Sequence, residues 1–285
     1  MSNLKIMVRG AYDMQKMRIQ MGNRIVSNYK GKLGQKPSEK EDTLDAKGKM
    51  LLANLRASFK KITDGVKRFP NLKSFTGDEI ISEYTELCLM AQYVELEESE
   101  NNGFKRLKNV LNEYPIFVQY LEGVKGVGPA MAGVILSEFD IYKAQYPSSM
   151  WAYAGLDVAG DGQGRSRKKE HLIDEEYIDK DGKTQTKKSI TFNPFLKTKL
   201  IGVLGSSFLR AGDNPNRDTY LNYKHRLENM PAHVEKSKGH RHNMAIRYMI
   251  KRFLVDLYTE WRTIEGLPVA LEYSEAKLGI RHKAA

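Results

Sequence analysis

Cysteine is almost missing from this chain: Cys88 is the single one in 285 residues. That excludes an intrachain disulfide and a cysteine-built zinc site, and it fits a reducing compartment, so a cytoplasmic location is expected. Long apolar runs are missing too. No stretch approaches the roughly 18 consecutive apolar residues that a membrane span needs. Met1 to Gly10 carry no apolar segment of signal-peptide kind, so no membrane partner is expected. There is no glycine-rich nucleotide loop and no internal repeat. Acids are in deficit, 35 against 46 Lys+Arg, for a formal charge of +11. Such a surplus points toward a polyanionic partner. Hydrophobic residues make up 41% of the chain, enough for it to fold, and the length allows one large or two ordinary domains.

What is there is mostly helical periodicity. Ile6 to Tyr29 reads as an amphipathic helix whose methionines, Met7, Met14, Met17 and Met21, with Ile25, form an expected core stripe. Gly31 to Asp45 reads as a loop. Lys49 to Lys67 gives a second helix, and Asp78 to Leu111 a third, with Ile81, Tyr84, Leu87, Cys88, Ala91, Val94 and Leu96 as its apolar positions. The acidic run Glu95 to Glu100 reads as a solvated face. Residues 1–112 are therefore expected to be a helical bundle or coiled-coil arm, a kind of element that often makes homo-oligomers.

Residues 121–139, L-E-G-V-K-G-V-G-P-A-M-A-G-V-I-L-S-E-F, read as a helix end, a turn at Gly126-Val127-Gly128, and a helix that starts at Pro129. Both glycines can take positive φ and bring bare backbone to a partner. Amides at a helix start attract anions. The layout resembles the helix-hairpin-helix, a module that grips nucleic-acid phosphates, so Lys125, Gly126, Val127, Gly128 and Ala130 are candidate contacts. A plain helical corner is the simpler alternative. Trp151 and Tyr153 follow on a short helix, as core or as stacking faces. Next comes D-V-A-G-D-G-Q-G-R-S-R-K-K-E-H, residues 157–171. Its glycines imply a flexible loop, and Arg165, Arg167, Lys168 and Lys169 can neutralise phosphates. Ser166 lies among these cations, which can activate a hydroxyl or stabilise a pentacovalent phosphate. A solvated basic loop with a bystander serine is the alternative.

Residues 171–192 alternate around Asp181-Gly182, a hairpin signal. Lys187 and Lys188 on that ribbon lie against a phosphate backbone or keep the edge soluble. Asn193-Pro194 opens a helix to Leu209 with Lys197 outward. Thr219 to Asn229 is a short basic helix. His240 to Glu265 is a long helix with the stripe Ile246, Ile250, Phe253, Leu254, Leu257, Trp261; Arg241, Arg247 and Lys251 on it are candidate phosphate contacts. His240 and His242 lack a suitably spaced carboxylate, so no metal site is expected. Residues 267–285 form a tail. The fold class expected is mainly α: the N-terminal arm, then a helical domain over 113–266 with one β-hairpin insert at 171–192.

The order of these segments carries a resemblance. G-V-K-G-V-G-P-A-M-A-G-V-I-L-S-E, W-A-Y-A-G-L, the Gly/Ser/basic loop, S-I-T-F-N-P-F-L-K-T-K-L-I-G-V-L and G-H-R-H-N-M-A-I-R-Y-M-I-K-R-F-L-V-D-L-Y resemble the C-terminal domain of the insertion-sequence one-ten (IS116/IS110/IS902-type) transposases over about residues 115–265. The resemblance implies DNA recombination by a serine that attacks a DNA phosphate, Ser166 being the one serine in the corresponding loop, with Arg165, Arg167 and Lys168 as phosphate stabilisers. It also implies a RuvC-like metal domain. Residues 1–110 show no alternating strands of that kind, so the chain resembles a reduced relative, with no cofactor of its own and a divalent metal only if a separate RuvC-like polypeptide supplies it. Three functions stay open: a DNA transposase-like enzyme, a binder of duplex, junction or structured RNA without chemistry, and a helical scaffold for proteins.

Overall fold

The computed structural model describes residues 2–35 and 44–271. The middle of the expected 31–45 loop and the tail from residue 272 lie outside the described residues. The fold is mainly helical with one two-stranded antiparallel hairpin. It divides into two compact units, residues 6–107 and a second made of residues 2–5 with the chain from Lys108 onward.

The first unit is built on α1 (Asn3–Lys32), α2 (Ala46–Thr63) and most of α3 (Tyr84–Leu111). Its core gathers Ile25, Tyr29, Leu55, Ile81, Leu87, Met90 and Tyr93. Three expectations shift here. The buried stripe of α1 runs through Val8, Ala11, Ile25, Val26 and Tyr29, whereas Met7, Met14 and Met21 flank it half-buried and Met17 is exposed. Helix α3 starts at Tyr84 rather than Asp78, because the Asp78 carboxylate accepts the amides of Ile80 and Ile81 and closes a turn of its own. Glu100 does not belong to a solvated face: it is 7% exposed and paired with Arg18, and it accepts a hydrogen bond from Gln15 Nε2 at 2.8 Å. That carboxylate raises the Arg18 pKa further, so the polar layer interrupting the α1 stripe is an ion pair, as buried charges require.

The second unit is organised around α5 (Pro129–Glu138), which is apolar on all sides and buries Met131 to Leu136. Before it come α4 (Pro115–Gln119) and a 3-10 turn, Leu121–Gly123; after it comes α6 (Pro147–Tyr153). Strands β1 (Ile173–Ile178) and β2 (Thr184–Ser189) pair in register Ile173↔Ser189 to Ile178↔Thr184. The five-residue connection Asp179–Lys183 puts Gly182 at φ +76°, the left-handed conformation that glycine permits. Nearly every hairpin residue is exposed on both faces. Helices α7 (Pro194–Thr198) and α8 (Gly205–Arg210) are joined without a break by a π-helical stretch, Lys199–Leu204, which the periodicity does not reveal. Then come α9 (Pro215–Asn229), α10 (Pro231–Val234) and α11 (Lys238–Ile264). The expected α11 stripe is buried throughout, from Ile246 to Trp261, and Phe253 meets Phe208 edge-on at 5.2 Å between centroids. No helix among the described residues is long and apolar enough to cross a membrane.

Gly155 ends α6 at φ +66°, and an added Cβ would stand 2.6 Å from the Phe192 ring. Left-handed strain and overpacking then act together, so Gly155→Ala is expected to cost about 2–4 kcal/mol. Urea denaturation of the two proteins measures it; unchanged midpoints would remove the packing argument.

Candidate functional site

The glycine-rich segment 157–165 has a defined turn structure. It folds back on itself through a Val158↔Gly164 bridge, with the Ala159 amide on the Gln163 carbonyl at 2.8 Å and the Arg165 amide on the Asp157 carbonyl at 3.1 Å. Gly162 takes φ +76° at its tip. Gly164 is glycine for another reason: a Cβ there would lie 2.8 Å from the Arg247 guanidinium.

Arg247 projects from α11 into the back of this loop. Its Nη2 donates to the carbonyls of Gly155 at 3.2 Å and Asp157 at 3.5 Å. Burial lowers its pKa, and Asp157 partly offsets the effect. Arg165 turns inward too, with its Nε donating to Asp157 Oδ2 at 2.7 Å. Lys197 does not point outward. Its Nζ donates to the Arg165 carbonyl at 2.5 Å and sits 4.5 Å above the Phe192 ring. Burial first, then the positive charge of Arg247, pushes its pKa down to about 8. These three cations build the loop rather than present themselves to solvent. Arg167, Lys168 and Lys169 are exposed.

Ser166 lies at the end of the loop, half-buried, and its surroundings hold two residues that the sequence did not single out. Ser166 Oγ is 2.9 Å from His171 Nδ1. On the other side of the ring, His171 Nε2 is 3.0 Å from Asp161 Oδ2. The Ser166 amide also donates to His171 Nδ1, at 2.9 Å. With an amide donor on Nδ1 and a carboxylate on Nε2, the neutral ring carries its proton on Nε2, and the Nδ1 lone pair faces Ser166. His171 is 4% exposed. The hydrogen bond to His171 is the leading cause that lowers the Asp161 pKa. The spacing Asp161, Ser166, His171 was the one available signal; His171 instead reads as the first residue of the alternating hairpin run.

The same loop forms one wall of an open cleft of about 770 Å³. The opposite walls come from α9, the α10 segment and the first half of α11, and supply Lys236, His240, Asn243, Arg247 and Lys251. Among the described residues no carboxylate lines it. Tyr223 and Tyr248 stack there with ring centroids 4.0 Å apart. The Lys251 ammonium stands 4.4 Å over the Trp151 ring, and Trp151 Nε1 donates to the Lys251 carbonyl at 3.2 Å.

The other expected contacts fall elsewhere. At the turn before α5, only Gly126 has positive φ, +96°; Gly128 is extended. Gly126 brings its backbone close to this chain and not to a ligand, since a Cβ would stand 2.7 Å from Phe208 and its carbonyl accepts from Ser207 Oγ at 2.7 Å. Val127 is buried, whereas Gly128 is exposed with open space before it, and Ala130 is half-buried in the first turn of α5. Lys125 donates to the Asp213 carbonyl at 3.3 Å on the rim of a second cleft of about 580 Å³, where Asp213, Asp256 and Glu260 outnumber it. Lys187 and Lys188 lie opposite Glu175 and Asp174 and pair with them at 3.5 and 2.7 Å. Arg241 caps the α10 segment through the carbonyls of Val234 and Lys236. His242 Nδ1 is held by Tyr220 Oη at 2.6 Å. Among the described residues no group of three or more His, Cys, Asp or Glu side chains is arranged to hold a metal ion.

Compared with protein-family models, curated proteins and solved structures, the chain matches none.

The depressed Lys197 pKa has a sign that can be read. Between about 8 and 10.5 the native state has given up this proton while the unfolded chain keeps it. The unfolded state binds more protons there, so the contribution of Lys197 to stability rises with pH through that window. Lys197→Met should lack the rise. Urea midpoints of wild type and variant at pH of about 7 and about 10 measure it; a constant difference would contradict the assignment.

Proposed function

We propose that this chain is a nucleic-acid-binding protein of the transposase type, acting in DNA recombination, with Ser166 as the strand-transfer nucleophile. The observation that carries the reading is the carboxylate-free cleft, walled on one side by the loop that leads into Ser166. Lys236 and Lys251 on that cleft, together with the exposed Arg167, Lys168 and Lys169 that follow the loop in sequence, favour a sugar-phosphate strand over a neutral or cationic ligand. The stacked tyrosines on the cleft wall add an apolar face that a base can cover. The resemblance of residues 115–265 to the one-ten transposases supports a DNA target and a serine chemistry, and it adds a structured RNA as a further ligand. In this reading the protein works in the cytoplasm, pairs with copies of itself through the first unit, and takes any divalent metal from a separate RuvC-like polypeptide. The grip moves away from the Gly126 turn, toward the cleft.

A second reading keeps the binding and drops the chemistry. It is favoured by the Ser166 amide on His171 Nδ1 and the Lys168 amide 3.3 Å from Ser166 Oγ, contacts that fasten a turn whether or not the hydroxyl reacts.

Binding to a short DNA duplex is expected to weaken steeply with salt. Replacing Arg167, Lys168 and Lys169 together by Ala should reduce the slope of log K against log [salt] by about 2–3, at roughly 0.9 per phosphate contact. Fluorescence anisotropy across a salt series measures this. A protein that retains neither DNA nor RNA at low salt would remove both readings.

A further inference from the structure

We infer that His171 is the general base of this site and Asp161 its positioning residue, so that Ser166, Asp161 and His171 act as one unit on a phosphodiester. The substrate class rests on the nucleic-acid reading above; the proton path does not.

The inference stands on geometry. Ser166 Oγ lies 2.9 Å from Nδ1, within the reach a base needs. Asp161 Oδ2, 3.0 Å from Nε2, keeps the proton on the far nitrogen and faces the positive charge that forms when Nδ1 takes a second one. The Ser166 amide donates to the same nitrogen at 2.9 Å, a contact that Nδ1 gives up when it takes the Oγ proton. Burial of the ring fixes its orientation, whereas Asp161 is 40% exposed along its side chain. The charged groups about the ring are Asp161, the Lys168 ammonium, whose field reaches Asp161, and the flanking Lys169 and Glu170. The nitrogens play reversed parts compared with the usual serine triad, where Nε2 meets the hydroxyl and Nδ1 the carboxylate.

The step balances without a co-reactant. The Ser166 Oγ–H proton moves to His171 Nδ1 as Oγ bonds to phosphorus. The bond from phosphorus to the leaving ribose oxygen breaks, and that oxygen takes the proton back from the imidazolium. The products are a serine phosphodiester and a free hydroxyl on the cut strand, with no net change in proton count. Reversal of the same steps by a second strand's hydroxyl rejoins DNA.

A fluorophosphonate probe tests the proton path without DNA: Oγ attacks phosphorus, fluoride leaves, and the proton goes to His171 and then to solvent. Labelling of the full chain is expected at Ser166, located by peptide mass spectrometry and absent in Ser166→Ala. His171→Ala should slow it by about 100-fold or more, and added imidazole should restore part of the rate. Asp161→Asn should slow it about tenfold or more and move the midpoint of the rate–pH profile to lower pH, since the imidazolium loses its carboxylate. If His171→Ala does not fold, Asp161→Asn decides, because its side chain is at the surface; an unchanged rate and profile overturns the proposal. An unlabelled Ser166 in folded wild type overturns it as well. Duplex binding is measured on the same samples. DNA retained without labelling removes the base and leaves the binder, and labelling without DNA retention removes the nucleic-acid reading and leaves the base.

Discussion

A guanidinium drawn in behind a glycine loop is the contact on which the second unit's candidate site depends. Arg247 reaches from the buried face of α11 to the Gly155 and Asp157 carbonyls, and Gly164 leaves room for it. The arginine thus ties the end of α6, the loop 157–165 and the long helix into one piece. Carbonyls at a loop's base need donors when water is excluded, and a planar donor with several N–H groups serves two of them at once. The positive charge so placed is balanced by Asp157, which Arg165 also engages. Ser166, directly after Arg165, inherits its position from this arrangement.

That arrangement sorts the basic residues by role. Arg165, Lys197 and Arg247 serve as internal donors, each with a carbonyl or carboxylate partner. Arg167, Lys168 and Lys169 remain at the surface. Charge is thus not spread evenly over the second unit. Among the described residues one cleft is lined by no carboxylate, and another, at the turn before α5, is lined by three acids and one lysine. The two places therefore present fields of opposite sign.

The helical class, the α11 stripe and the hairpin were legible because each depends on periodicity and on turn residues close in sequence. The α1 methionines misled because a half-buried flank and a true core stripe share nearly the same spacing; burial is decided by what lies opposite, here Leu55, Met90 and Tyr93. The candidate site was legible only in part. A basic segment around Ser166 can be read from composition. Which way Lys197 and Arg247 point cannot, since the one depends on the Arg165 carbonyl and the other on the Gly155 carbonyl, 32 and 92 residues away. Asp161 and His171 are local, but each also fits a simpler role, one as a turn acid and the other as a strand residue. Only the folded loop brings both to one imidazole.

The π-helical stretch between Lys199 and Leu204 sets the angular phase of α8, which continues it. It holds one residue more than an ordinary helix of the same rise, as π-bulges do. Phe208, in the helix that follows, meets both Gly126 and Phe253. A chain shortened by one residue between 199 and 204 would relax to regular winding and turn Phe208 by about 100° off its neighbours. The corner before α5 would then lose the ring against which it closes, so this helix works as a spacer whose length is counted in single residues.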